Sequence, residues 1–123
     1  MSTPALDIRP ARRPGDRMNR TEAAWARQLD AQKLTYTFEA TKFRLANNTW
    51  YTPDFVVFCP NGDGTYTIEV HEVKGFWRDD ARVKWKTVAE QWPQFRFVAV
   101  GKRKAREGGG WWRETYGGKE NGK

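Results

Sequence analysis

Asp54, Glu72 and Lys74 are the residues of this chain whose types and spacing suit chemistry. Pro60-Asn61-Gly62-Asp63-Gly64 is its strongest turn signal. If Gly62, Asp63 and Gly64 form a three-residue hairpin loop, Asn61 pairs with Thr65 and facing residues have numbers that add to 126. Asp54 then faces Glu72, with β-carbons about 5 Å apart. Glu72 and Lys74 are two apart and share one face of their strand. Two carboxylates that close repel, so one takes up a proton or a cation binds between them. Oxygen donors alone favour a hard cation, Mg²⁺ with Mn²⁺ as a substitute. A lysine beside a metal-bound water can orient it, help it lose a proton, or stabilise charge developing on a phosphate. The competing reading is a surface patch in which Glu72 and Lys74 are ordinary charge partners.

The elements that must position these residues follow from patterning. Asn19 to about Leu34 reads as a helix, with Asn19 and Glu22 at capping-box spacing and Trp25, Ala26 and Leu29 as its apolar stripe. Glu22 falls in the middle of that stripe and so faces the body of the protein. Thr35–Glu39 and Lys42–Leu45 read as short strands, with Asn47-Asn48 as a turn. Phe55–Cys59 has no polar alternation, which predicts a strand covered on both faces. Tyr66–Lys74 returns antiparallel to it, and Gly75 ends that strand. His71 and Glu69 fall on the face opposite Glu72. Arg78 to about Trp92 reads as a second helix with an apolar stripe of Ala81, Trp85, Val88, Ala89 and Trp92. Phe95–Val100 is the last expected strand, parallel to a neighbour because a helix has crossed over. Cys59, Trp25, Trp85 and Trp92 are expected in the core.

Charge is divided unevenly along the 123 residues. The net charge is +7, yet residues 21–100 hold ten basic and ten acidic side chains. The excess lies in 1–20 and 101–123, which suits a polyanionic partner. Residues 1–18 are expected to form a basic irregular arm, 19–104 the folded domain, and 105–123 a flexible tail, in which Trp111 and Trp112 either dock or stack on bases. Arg78, Arg82 and Lys86 make a basic stripe on the second helix. With Lys102, Arg103 and Lys104 they are the candidate nucleic-acid contacts. A single cysteine excludes an intrachain disulfide, and with a single histidine it argues against zinc. No apolar run suits a membrane span or a signal core, so a cytoplasmic protein is expected.

Pro53-Asp54 followed by Glu72-Val73-Lys74 resembles the motif of the PD-(D/E)XK, or restriction-endonuclease-like, nuclease superfamily. Glu22 looks like the additional acidic residue that many members carry on the preceding helix. The segments Asn19-Arg20-Thr21-Glu22, Tyr51-Thr52-Pro53-Asp54-Phe55 and His71-Glu72-Val73-Lys74-Gly75 also resemble small phage and prophage proteins, including phage endonucleases that resolve Holliday junctions. The likeness covers roughly residues 19–104. It implies an α/β restriction-endonuclease-like core, with a mixed β-sheet, one helix before the hairpin and one after the second motif strand. It also implies Asp54, Glu72 and the Val73 carbonyl as metal ligands, Lys74 beside the attacking water, and Glu22 completing the site. The expected activity is Mg²⁺-dependent cutting of DNA, branched DNA included, by a homodimer in a bacterial host cell. The alternative is a non-catalytic nucleic-acid-binding or phage regulatory protein on the same fold.

Overall fold

A computed structural model describes residues 6–8, 18–45, 48–76 and 78–116. They form a mixed α/β fold with two helices and two sheets. The elements in chain order are β1 (Leu6–Ile8), α1 (Arg20–Ala31), β2 (Thr35–Phe38), β3 (Thr41–Arg44), β4 (Trp50–Tyr51), β5 (Phe55–Pro60), β6 (Tyr66–Val73), α2 (Asp79–Gln91), β7 (Arg96–Lys102) and β8 (Trp111–Tyr116). The main sheet runs β2-β5-β6-β7-β8, and a smaller sheet runs β1-β3-β4. Among the described residues only β6 and β7 pair in parallel, joined by the α2 crossover, so the main sheet is mixed.

The hairpin register is the one that loop length dictates. Phe55 faces His71, Val57 faces Glu69 and Pro60 faces Tyr66. Gly62 and Gly64 have φ of 87° and 91°, values that favour glycine, and Asn61 N donates to Thr65 O at 2.9 Å.

The main sheet is covered on both faces. Trp25, Ala26 and Leu29 of α1 pack with Phe38, Phe55, Val57, Val98 and Val100. Trp85, Val88 and Ala89 of α2 pack on the other face with Val70, Phe97 and Ala99, and with Phe43, Leu45 and Tyr51 from the smaller sheet. Phe55, Val57, Val70, Phe97, Val98 and Val100 are fully buried. Each such side chain contributes roughly 1.5–3 kcal/mol, which anchors the central strands that carry the site. No helix among the described residues is long and apolar enough to cross a membrane.

Two segments depart from expectation. Residues 111–116 are not tail but edge strand β8, paired antiparallel with β7. Gly108, Gly109 and Gly110, with φ of 99°, 66° and 77°, make the turn that returns the chain. Trp111 packs on Trp25, with ring centroids 4.8 Å apart, and Trp112 packs on the α2 side, so both indoles dock. At the other end, Leu6–Ile8 pairs with β3 as a short strand rather than continuing an irregular arm. The remainder of that arm, residue 47 of the expected Asn47-Asn48 turn and the end of the tail lie outside the described residues.

Candidate metal centre

The acidic residues gather at one end of the main sheet. In the β2–β5 ladder Phe38 faces Phe55, so the next pair outward is Glu39 and Asp54. Glu39 N donates to Asp54 O at 2.9 Å. Continuing the β5–β6 register by one step puts Asp54 beside Glu72. Glu39, Asp54 and Glu72 therefore form one transverse row across three strands.

Glu22 joins this row from α1. Its N–H donates to Asn19 Oδ1 at 2.7 Å, and its Oε1 accepts from Asn19 N at 2.9 Å, completing a capping box. The cap fixes the first turn of α1 and aims the Glu22 carboxylate at the sheet end. Oxygens of Glu22, Glu39 and Asp54 lie within 4.8 Å of one another. The cap role and the site role of Glu22 are thus compatible.

Glu72 stands outside that group of three and has its own partners. Tyr51, 9% exposed, donates its hydroxyl to Glu72 Oε1. Lys74 Nζ is 3.5 Å from Glu72 Oε2. Val73 enters through its N–H, which donates to Asp54 Oδ2 at 2.8 Å. Glu72 and Lys74 also line a cleft of about 330 Å³, together with Trp50, Tyr51, Thr52, Ala81, Lys84 and Trp85.

Lys74 is braced from behind. Its N–H donates to Val100 O at 2.8 Å. A β-carbon on Gly101 would lie 2.4 Å from the Lys74 carbonyl oxygen and from the Trp112 ring. Glycine at 101 is what lets the β7 backbone, Trp112 and Lys74 approach so closely.

Asp54 and Glu72 lie close together with Lys74 as their nearest counter-charge, and both carboxyls are raised. Burial, then the Glu72 charge, pushes Asp54 up to about 8; Glu22 adds to the rise, while the Val73 N–H and Lys74 oppose it. Burial also raises Glu72, against the Tyr51 hydroxyl and Lys74, and Glu22 pushes the same way as burial. Burial and the Glu72 charge hold the Tyr51 hydroxyl well above its ordinary value, so it stays a donor.

The opposite face of β6 carries a second polar cluster. Trp25 Nε1–H donates to His71 Nδ1 at 3.0 Å. An indole N–H can only donate, so Nδ1 is unprotonated and Nε2–H donates to Glu69 Oε1 at 2.9 Å. Burial keeps His71 below its usual range, in agreement with a neutral ring. With both ring nitrogens engaged and 1% exposure, His71 fastens α1 to β6. Burial pushes the Cys59 thiol up to about 11, as a packing residue rather than a nucleophile.

Two of the basic candidates on α2 hold β8, and the others are exposed. Arg82 Nη2 binds Glu114 Oε2, and Lys86 Nζ lies 5.7 Å from the centroid of the Tyr116 ring. These two residues of the expected α2 stripe thus brace β8. Arg78 is exposed, with Nε 3.8 Å from Asp80 Oδ1. Lys102, Arg103 and Lys104 are exposed at the end of β7, with Lys102 Nζ 5.9 Å from the centroid of the Trp111 ring.

Sequence reasoning missed Glu39, Tyr51, Trp50 and Lys84. The signal for Glu39 would have been the β2–β5 register, which no tight turn sets. Glu39 also adopts a φ of 50°, which a glutamate seldom does and which occurs at sites whose surroundings enforce it.

No family model, curated protein or solved structure matches this chain.

Proposed function

We propose that the chain is a divalent-metal-dependent DNA endonuclease built on a restriction-endonuclease-like core. The observation that carries this reading is the convergence of Glu22, Glu39 and Asp54 from three separate elements to within 4.8 Å, at the mouth of a hairpin that presents Glu72 and Lys74. The donor set fits a hard cation: it is all carboxylate, with no histidine or cysteine in the group. Its negative charge exceeds what Lys74 alone can balance.

Glu22, Glu39 and Asp54 would hold the cation, with Glu72 beside them. When bound, Mg²⁺ or Mn²⁺ supplies charge neutralisation at the phosphate and acidification of a water. Tyr51 holds the orientation of Glu72 through its hydroxyl. The Val73 N–H fixes one oxygen of Asp54 and leaves the other for a ligand. Lys74, braced by Gly101 and Trp112, offers its ammonium to the attacking water or to the phosphate oxygens. Catalysis of this kind rests on positioning and electrostatics rather than on a covalent nucleophile. The basic ends and the exposed Lys102, Arg103 and Lys104 supply attraction for DNA. The order of capped acidic helix, hairpin, crossover helix and parallel strand supports the superfamily reading, and the cleft carrying Lys74 favours an enzyme over a plain binding module.

The test uses end-labelled duplex, single-stranded and four-way-junction DNA with Mg²⁺, Mn²⁺ or EDTA. Metal-dependent cutting that is lost in Asp54→Asn and Lys74→Ala, with binding retained, is expected. Binding without cutting on all three substrates would leave only a nucleic-acid-binding role.

A further inference from the structure

The cleft beside Glu72 has an aromatic wall that metal chemistry does not need. Trp50 belongs to β4, a two-residue edge strand of the smaller sheet. Successive strand residues point to opposite sides. Tyr51 therefore turns inward to Glu72, while Trp50 turns outward, 39% exposed, and lines the same cleft. The indole is thus fixed relative to Glu72 by its own neighbour in the chain. Burial alone gives no reason for a tryptophan here, since its ring stays partly in water at a sheet edge.

Lys42 Nζ lies 5.1 Å from the ring centroid, and Lys74 and Lys84 line the same cleft; Arg44, the cross-strand partner of Trp50, donates to Asn48 Oδ1 at 2.7 Å. A flat aromatic face with ammonium groups near it matches a nucleotide, whose base stacks while its phosphates meet the cations. The cleft, about 330 Å³, takes one nucleotide-sized group. A base inside a duplex is already stacked on its neighbours and cannot present its face to an indole.

We infer that Trp50 is a stacking platform for an unpaired base adjoining the scissile phosphate, so that the substrate is DNA with a single-stranded segment at the cut. This deepens the endonuclease reading and rests on it for the word scissile. The stacking itself does not require cutting.

The experiment measures binding by anisotropy, with Ca²⁺ in place of Mg²⁺, for a labelled oligothymidylate and a fully paired duplex. The proteins compared are the wild type, Trp50→Ala and Trp50→Phe. Trp50→Ala should weaken oligothymidylate binding roughly ten- to hundredfold, the size of one lost base–aromatic stack. Trp50→Phe, which keeps a ring, should recover most of it. The preference for single-stranded over paired DNA should fall accordingly. Unchanged oligothymidylate binding in Trp50→Ala, or an equal loss for both DNAs, overturns the inference. A parallel Mg²⁺ cleavage assay separates the two claims. Trp50-dependent binding without any cutting by the wild type removes the endonuclease reading and keeps the platform. Cutting with Trp50-independent binding does the reverse.

Discussion

Strand β6 carries two buried or half-buried glutamates, Glu69 and Glu72, three residues apart on opposite faces, and they live in opposite electrostatic conditions. Glu69 is 6% exposed, accepts from His71, and has Arg96 Nη1 and Arg113 Nη2 at 3.3 and 3.2 Å. Burial opposes its charge, but the His71 hydrogen bond and the Arg113 and Arg96 guanidinium groups win and hold its carboxyl at about 2. Glu72 shares Lys74 with a row of carboxylates, and both it and Asp54 are raised. A protein that needs a buried carboxylate for architecture supplies its counter-charges from its own chain. The end of the sheet at Asp54 has not been balanced in that way, and this shortfall of positive charge is what the proposed metal centre would make good.

Substitutions can sharpen or break this contrast. The largest effect is expected at the unbalanced end: Asp54→Asn or Lys74→Ala should lower the metal-dependent cleavage rate by roughly 10²–10³-fold or more. Circular dichroism and melting should show both variants folded, because Asn keeps an acceptor for the Val73 N–H and the Lys74 side chain is partly exposed. At the balanced cluster the outcome should invert. Glu69→Ala leaves Arg96, Arg113 and His71 without their shared acceptor and should cost about 3 kcal/mol of stability by urea titration, with metal affinity unchanged in whatever fraction stays folded. If Asp54→Asn unfolds the protein and Glu69→Ala does not, the contrast is wrong.

Next in size is Gly101→Ala. Its β-carbon has no room between the Lys74 carbonyl and the Trp112 ring, so a loss of roughly 1–3 kcal/mol is expected. Cleavage should also fall, since the shift passes directly to Lys74. Stability with normal activity would show that Lys74 is not held from behind. Glu39→Gln should do the least to the fold and slightly raise the melting temperature in EDTA by removing a like charge. It should also weaken Mn²⁺ binding, read by calorimetry.

Acid titration gives a further separation. The folded carboxyl of Glu69 lies below its ordinary value of 4.5, at about 2, so its contribution is present above pH 4.5 and fades as pH falls toward 2. That contribution is on the order of 2 kcal/mol after allowance for solvent screening. Glu69→Gln should therefore flatten the acid limb of the stability curve between about pH 4.5 and 2, a change visible in urea midpoints.

How much of this could be read in advance depended on whether local rules set the geometry. The β5–β6 register came from loop length and two glycines, so Asp54 and Glu72 could be paired on paper. Glu22 could be placed because capping-box spacing and helical periodicity are both short-range. Glu39 could not, because β2 and β5 are separated by a second sheet and their register is a tertiary outcome. Strand β8 was hidden for a different reason. It follows three glycines, and both of its tryptophans dock on opposite faces, which erases the polar–apolar alternation of a half-buried strand. Missing β8 also hid the contacts of Arg82 with Glu114 and of Lys86 with the Tyr116 ring. Tyr51 was hidden inside a recognisable segment, since nothing local shows that its hydroxyl reaches Glu72.

The most direct measurement is calorimetric titration of EDTA-stripped protein with Mn²⁺, for the wild type and Asp54→Asn. One cation bound per chain is expected for the wild type, and little or none for Asp54→Asn at the same concentrations. A wild type that binds no cation, or an Asp54→Asn variant that binds it as well as the wild type, would contradict the assignment of this sheet end as a metal centre.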